Sequence, residues 1–317
     1  MKKEIFYTLC SKVFDCLNSD EQLTLFLEGE NSQYFRFNDS KLRQSGIIED
    51  FNLTLSLYNN NKCLQSMTTI SADLDSSVRK IIKEIDILRL SLNATPPSDH
   101  IVFPDKFGSV EVNALGNLPE RDNILDSLMG IIDKNTLTGV WSSGKIFRGC
   151  CASNGTKHWF EKDSFLFDFS LIDRNENMVK ILYPHSNWNE SEFHKVFTDA
   201  SSQLSLMDKS RIELKPGKYR TWFEPCAVAD FIDMFSWNGV SESSIRKGSS
   251  CFIKMRNEKK KLSPLFSLDE SFTDLTTASF NTRGEVSSTV SIIKNGVFEN
   301  ALINSKTANE YNLESNY

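Results

Sequence analysis

Lys145-Ile-Phe-Arg-Gly-Cys-Cys-Ala-Ser-Asn-Gly-Thr-Lys-His-Trp-Phe160, with Phe165, Phe167, Phe169 and Leu171 following at every second position, is the stretch that decides the fold. Strict alternation puts the apolar side chains on one face of a strand, because successive Cβ atoms point to opposite sides. Asn154-Gly155 is the strongest short hairpin signal, since both residues accept positive φ. Two antiparallel strands are therefore expected, and Gly139-Val-Trp141 extends the first of them upstream. Cys150 and Cys151 fall on opposite faces, which argues against their acting together and predicts one in the core and one at the surface.

Downstream, Asp173 to Asn177 turns the chain into a further strand, Met178 to Tyr183. Ser191 then caps a helix carrying Phe193, Val196, Phe197, Ala200 and Leu204. Upstream, Ile5, Phe6, Leu9, Val13 and Leu17 recur at helical spacing. Strands follow: Leu23 to Leu27, Tyr34 to Phe37 and Lys41 to Ser45 about a turn at Asn38-Asp39-Ser40, then Phe51 to Leu57 before Asn59-Asn60-Asn61. Asp75 and Ser76 stand ahead of Val78, Ile81, Ile82, Ile85, Leu88 and Leu92, and Pro96-Pro97 closes that helix. Beyond an extended loop through Pro104 and Gly108, Pro119 opens another helix with Ile124, Leu125, Leu128, Ile131 and Ile132 on one face.

The fold class is α+β: an N-terminal lobe of antiparallel sheet with helices on one side, followed by a β-rich C-terminal lobe. At 317 residues two lobes are expected, 1–208 and 209–317. In the second, Pro216-Gly217 separates Arg211 to Leu214 from the strand Tyr219 to Phe223. Pro225 starts a helix through Trp237, and Asn295-Gly296 joins Thr289 to Ile293 with Val297 to Ile303.

A net charge of −6 and a pI near 5.4 leave no positive field for a phosphate backbone, which argues against nucleic-acid partners. The basic run Arg256 and Lys259 to Lys261 lacks aromatic interleaving and reads as a solvated loop. Seven scattered cysteines without a CxxC pair fit a reducing compartment. Glu4, Lys12 and Asp15 interrupt any signal-peptide core, and no run approaches the roughly 18 apolar residues that span a bilayer, so a cytoplasmic protein with no membrane role is expected.

No P-loop, GxGxxG, GxSxG or HExxH motif is present. His100, His158, His185 and His194 form no i, i+4 pair, so a catalytic zinc site has little to build on, and His158 beside Trp159 reads as structural. Cys226 lies in the first turn of a helix, where amides favour an anion, with Glu224, Asp230 and Asp233 nearby. An inert cysteine and dipole-favoured carboxylates explain the same pattern. A hydrolase built on Cys226, Glu224 and Asp230 lacks a neighbouring histidine base.

Several segments carry a resemblance. Phe35-Arg-Phe-Asn-Asp-Ser-Lys-Leu-Arg-Gln44 resembles a strand-turn-strand near the start of the TldD/TldE (PmbA) peptidase family. Thr138-Gly-Val-Trp-Ser-Ser-Gly144, continuing to Ser153-Asn-Gly-Thr-Lys-His-Trp159, is similar to that family's glycine-punctuated hairpin. Leu214 to Arg220 followed by Phe223 to Asp230 resembles the strand, turn and helix where TldD-type subunits carry His-Glu-x-x-x-His. Here Pro225, Cys226 and Asp230 stand at the His, Glu and His positions. Asn281-x-x-Gly284, Ile293-Lys-Asn-Gly296 and Ser305 to Tyr311 look like the family's later turns.

The resemblance implies a zinc-free, TldE-like subunit with no catalytic or metal residue of its own. It also implies a TldD-type zinc subunit as partner, or self-association, and an unfolded peptide as substrate, with activity only in the pair. A non-enzymatic scaffold of the same fold is the alternative. The peptide channel or interface is expected at Trp141, Gly144, Phe147, Ser153, Asn154, Trp159 and Trp222, the peptide adding as a strand to a sheet edge. The family's older label mentions DNA gyrase, which the acidic balance argues against as DNA contact. Family members usually continue for about one further domain's length, so 209–317 is expected to be the start of an incomplete C-terminal domain.

Overall fold

The computed structural model describes residues 2–105, 108–131 and 136–316. The chain begins with α1 (Lys3–Phe14), a meander of β1 (Gln22–Asn38), β2 (Lys41–Asn59) and β3 (Lys62–Thr69), and then α2 (Leu74–Ala94). Next come β4 (Ser109–Ala114), α3 (Arg121–Ile131), β5 (Thr136–Ala152), β6 (Lys157–Ile172), β7 (Met178–His185) and α4 (Glu190–Leu206). The seven strands form one sheet in the order β3-β2-β1-β5-β6-β4, and β7 also pairs with β6. β6 divides its outer side between the two: its start, Lys157 to Lys162, pairs parallel with β4, and its end, Phe165 to Ile172, pairs antiparallel with β7.

Turn chemistry sets the long registers. Asp39 and Ser40 both have positive φ, as do Asn60 and Asn61, so each hairpin closes in two residues. Gly155 supplies the left-handed residue between β5 and β6. The two pairs of short strands expected before residue 58 are each one long strand.

All four helices lie on one sheet face. On β1, Leu23, Leu25 and Leu27 pack under α1 and α2, while Phe35 and Phe37, of the same parity, pack under α3 and α4. Phe147 and Trp159 belong to the first core and Trp141, Phe165, Phe167 and Phe169 to the second. Between the cores lies a polar seam where Lys145 pairs with Glu161 at 3.2 Å and Asp163 at 3.1 Å. α2 is capped by Asp73, whose carboxylate accepts from the Ser76 amide, and α4 by Asn189, which accepts from the Glu192 amide and from the Ser191 hydroxyl. Both caps precede the expected ones by about two residues. Ile124 and Leu128 are buried beneath α3 as expected; the side chain of Ile131 and residue Ile132 lie outside the described residues.

After α4 come α5 (Pro225–Ser236), α6 (Glu242–Arg246), α7 (Ile253–Asn257), β8 (Leu268–Glu270), β9 (Val290–Lys294), β10 (Val297–Phe298) and α8 (Ser305–Tyr311). The β8, β9 and β10 sheet is small, so the expectation of a β-rich second lobe is corrected within the α+β class. Residues 219–223, expected as a strand, do not form one: among the described residues no backbone hydrogen bond pairs them with a neighbour. The hairpin at Asn295 and Gly296 forms, both residues having positive φ, but its second arm ends at Phe298 instead of Ile303. Glu242, almost fully buried, ties α6 to α7 by accepting from Arg246 at 2.7 Å and Arg256 at 2.6 Å.

The C-terminal region docks on the outer face of the sheet. Phe280 packs edge-on against Phe26 and over His158, and the Gly284 carbonyl accepts from His158 Nε2 at 3.0 Å. This corrects the expectation for the paired cysteines. They do face opposite ways, yet both are fully buried, Cys151 under α1 and Cys150 beneath Phe280 and Gly284.

Candidate functional site

β5 is hydrogen-bonded along its length to β1 on one side and β6 on the other. It therefore has no free edge, and a peptide cannot add to it as a strand; this overturns the expected mode of binding at Val140 to Phe160. Trp141, Phe147 and Trp159 are corrected as well. All three face the helices and are buried, so their rings are occupied by intramolecular packing: Trp141 stacks on Phe165 at 4.7 Å, and Phe147 meets Trp159 at 5.8 Å.

Ser153 and Asn154 brace the hairpin. The Ser153 hydroxyl accepts from the Leu23 amide, and Asn154 donates to the Pro104 carbonyl while accepting from the Thr156 amide. Gly144, half-buried like Ser153 and Asn154, lies on the open outer face of the sheet. A Cβ there would collide with the backbone of Asn31 and Ser32, so β1 and β5 approach closely only because this residue is glycine.

Around Gly144 the outward, even-numbered side chains of three strands form the floor of a trough of about 620 Å³. Ser32 comes from β1, Ser142 from β5 and Ser164 from β6. Glu30 and Lys162 add opposite charges, and Asp274 and Thr276 of the C-terminal region contribute to the lining. Sequence reasoning missed these residues because it followed the apolar parity; the signal was the complementary parity, serine and charge on the face left over. Hydroxyls and unlike charges on a fully paired sheet can hydrogen-bond the main chain of an extended ligand laid across it. On the other face, burial works against the Lys145 ammonium, but hydrogen bonds and charge from Asp163 and Glu161 outweigh it and raise its pKa, so this lysine stays charged and is no nucleophile.

The second site lies at α5. Pro225, Cys226 and Asp230 are all exposed, and no residue of α5 is buried. Cys226 and Asp230 stand one turn apart, and Pro225 offers no donor. Among the described residues no three His, Cys, Asp or Glu side chains converge. Of the histidines, His158 is fully buried with both ring nitrogens engaged, and His185 lies 3.6 Å from Glu192 at the α4 end of β7. The side chains at the motif positions thus offer at most two donors, which does not fit a zinc needing three protein ligands. Trp222, just before α5, is 84% exposed, unlike the buried Trp141 and Trp159 with which the sequence grouped it.

Residues 216–317 match the family model for the PmbA/TldA metallopeptidase C-terminal domain. No curated protein matches the chain in sequence. Among solved structures, a Thermotoga maritima protein named as a modulator of a DNA gyrase superposes with a TM-score of 0.73 at 15% identity, covering 98% of this chain and 73% of that one. A Bacteroides thetaiotaomicron protein of the same description gives 0.73 at 16%, over 99% and 74%. TldE from Thermococcus kodakarensis gives 0.68 at 11%, over 98% and 72%. At these identities the likeness to solved structures is one of fold.

Proposed function

Because the chain belongs to the TldD/TldE (PmbA) metallopeptidase-like family, we propose that it is a zinc-free, TldE-like subunit that binds peptide and leaves the chemistry to a TldD-type partner. The observation that carries this reading is the helix at the motif position: α5 presents Pro225, Cys226 and Asp230 where such a partner would present two histidines and a glutamate. Neither the metal ligands nor the general base is available there. The chain's contribution is then surface, and the trough over Ser32, Ser142, Gly144 and Ser164 suits an extended, unfolded peptide.

A peptide lying in the trough is held through its main chain, which favours breadth of sequence over selectivity. The test has two arms. Metal analysis of the purified chain should find no stoichiometric zinc after mild chelation; about one zinc per chain would overturn the assignment. In a cleavage assay with an unfolded peptide, the chain alone should be inactive and its mixture with a TldD-type zinc subunit active. A mixture no more active than the zinc subunit alone would favour the non-enzymatic scaffold reading.

A further inference from the structure

We propose that the trough recognises peptide ends: it takes a free, zwitterionic peptide of about three residues, with the α-ammonium at Glu30 and the α-carboxylate at Lys162. This rests on the trough being the peptide site and adds which peptides it holds.

The register fixes where the two charges stand. Glu30 of β1 is in register with Ile146 of β5, and Ile146 with Lys162 of β6, so a carboxylate and an ammonium share one row across the sheet with an apolar residue between them. Two strand spacings, about 10 Å, separate their backbones. Among the described residues neither side chain has an ion-pair partner, and Glu30 accepts from the Ser32 hydroxyl at 3.2 Å. The neighbouring outward row differs: there Arg148 closes on Glu28 at 3.2 Å across a single strand spacing. Glu30 and Lys162 are both half-buried, where an unpaired charge costs more than in open water, and a ligand carrying the two opposite charges removes that cost. The other titratable groups of the lining do not compete for the carboxylate end: Asp274 is acidic, and His185 lies 3.6 Å from Glu192.

Ligand length follows from the spacing. An extended chain spans at most about 3.6 Å per residue, so three residues set a terminal ammonium and a terminal carboxylate about 10 Å apart; two fall short, and five overrun one of the charges. The supply of hydrogen bonds agrees. β1 and β5 use their main-chain groups on their neighbours, so the two peptide units of such a ligand must bond to side chains. Ser142, Ser164 and Thr276 offer three hydroxyls there, none with a hydrogen-bond partner among the described residues. Terminal charges are common to every sequence, so end recognition fixes position and length without selecting side chains.

The test is calorimetric titration of the full-length chain, with no partner present, at low ionic strength and millimolar peptide. Tri-alanine should bind, and N-acetyl-tri-alanine, tri-alanine amide, di-alanine and penta-alanine should each bind at least about tenfold more weakly. Glu30→Gln should erase the difference between free and acetylated N-termini while keeping the preference for a free carboxylate. Lys162→Gln should do the reverse, whereas a merely structural effect would move both together. Equal binding of free and blocked tripeptides, or preferences that survive both substitutions, overturns end recognition; if Ser164→Trp still abolishes that binding, the trough remains the peptide site. If no peptide binds, or if Ser164→Trp leaves binding intact, the trough reading itself fails and end recognition falls with it.

Discussion

Both ring nitrogens of His158 are spoken for, and that decides its charge. Nδ1 accepts from the Val110 amide at 3.0 Å and Nε2 donates to the Gly284 carbonyl at 3.0 Å, an arrangement only the neutral ring can satisfy. Burial lowers its pKa, with the Gly284 carbonyl pulling the other way and not prevailing. The unfolded imidazole, near its ordinary value of about 6.5, therefore takes up a proton before the folded one does. The stabilisation is present above about pH 6.5 and is lost as pH falls through the window below it, where the unfolded state binds more protons. Thermal unfolding at pH 7.5 and 5.5 should show a fall in Tm for the natural chain and a shallower fall for His158→Gln, whose amide does not titrate. Equal slopes would refute the assignment. The variant should also lose about 2 kcal/mol at neutral pH through its imperfect hydrogen bonds. The sequence, with Trp159 adjacent, marked His158 as structural. It could not show what the ring holds, because Gly284 is 126 positions away.

Elements were legible where one periodicity runs unbroken to a clear stop. α2 has five buried positions at helical spacing, a capping aspartate and two prolines behind it, and the structure agrees to within about two residues. β1 and β2 were seen only in halves, because Glu28 to Gln33 crosses the polar seam between two cores and carries no apolar parity to follow. Residues 219–223 carry three large aromatic side chains as a strand would, and what unmakes them is tertiary: no described residue pairs with their backbone. Glycines offer a test at this scale. Gly144→Val should cost about 3 kcal/mol or prevent folding, since its side chain meets the backbone of β1. Gly130→Ala, in α3 with open space beside it, should stabilise by about 1 kcal/mol. Urea denaturation of both variants reads the two signs, and a neutral Gly144→Val would mean that the two strands are not held this close. At α5, Cys226→Ala removes an exposed thiol and should change stability by no more than about 1 kcal/mol while leaving partner-dependent cleavage intact. A folded variant without that activity would restore the nucleophile reading.

At the scale of the molecule, one sheet separates two duties. Its odd-numbered face carries four helices and most of the large aromatic side chains, while its even-numbered face carries the docked C-terminal region at one end and the serine-lined trough beside it. Substitutions on the trough floor can therefore alter binding without entering a core. Ser142→Trp and Ser164→Trp each place a large ring in a space of about 620 Å³ that an extended peptide would occupy. Ser170→Trp puts the same ring on the same face of β6 but outside the trough lining. With a TldD-type partner present, the two trough variants should raise KM for an unfolded peptide by about tenfold or more and leave the zinc content of the partner unchanged, whereas Ser170→Trp should behave like the natural chain. All three should unfold within a few degrees of the natural chain, because the added ring points into solvent. If the trough variants left KM unchanged while remaining folded, the outer face would not be where peptide runs, and the trough reading would fall.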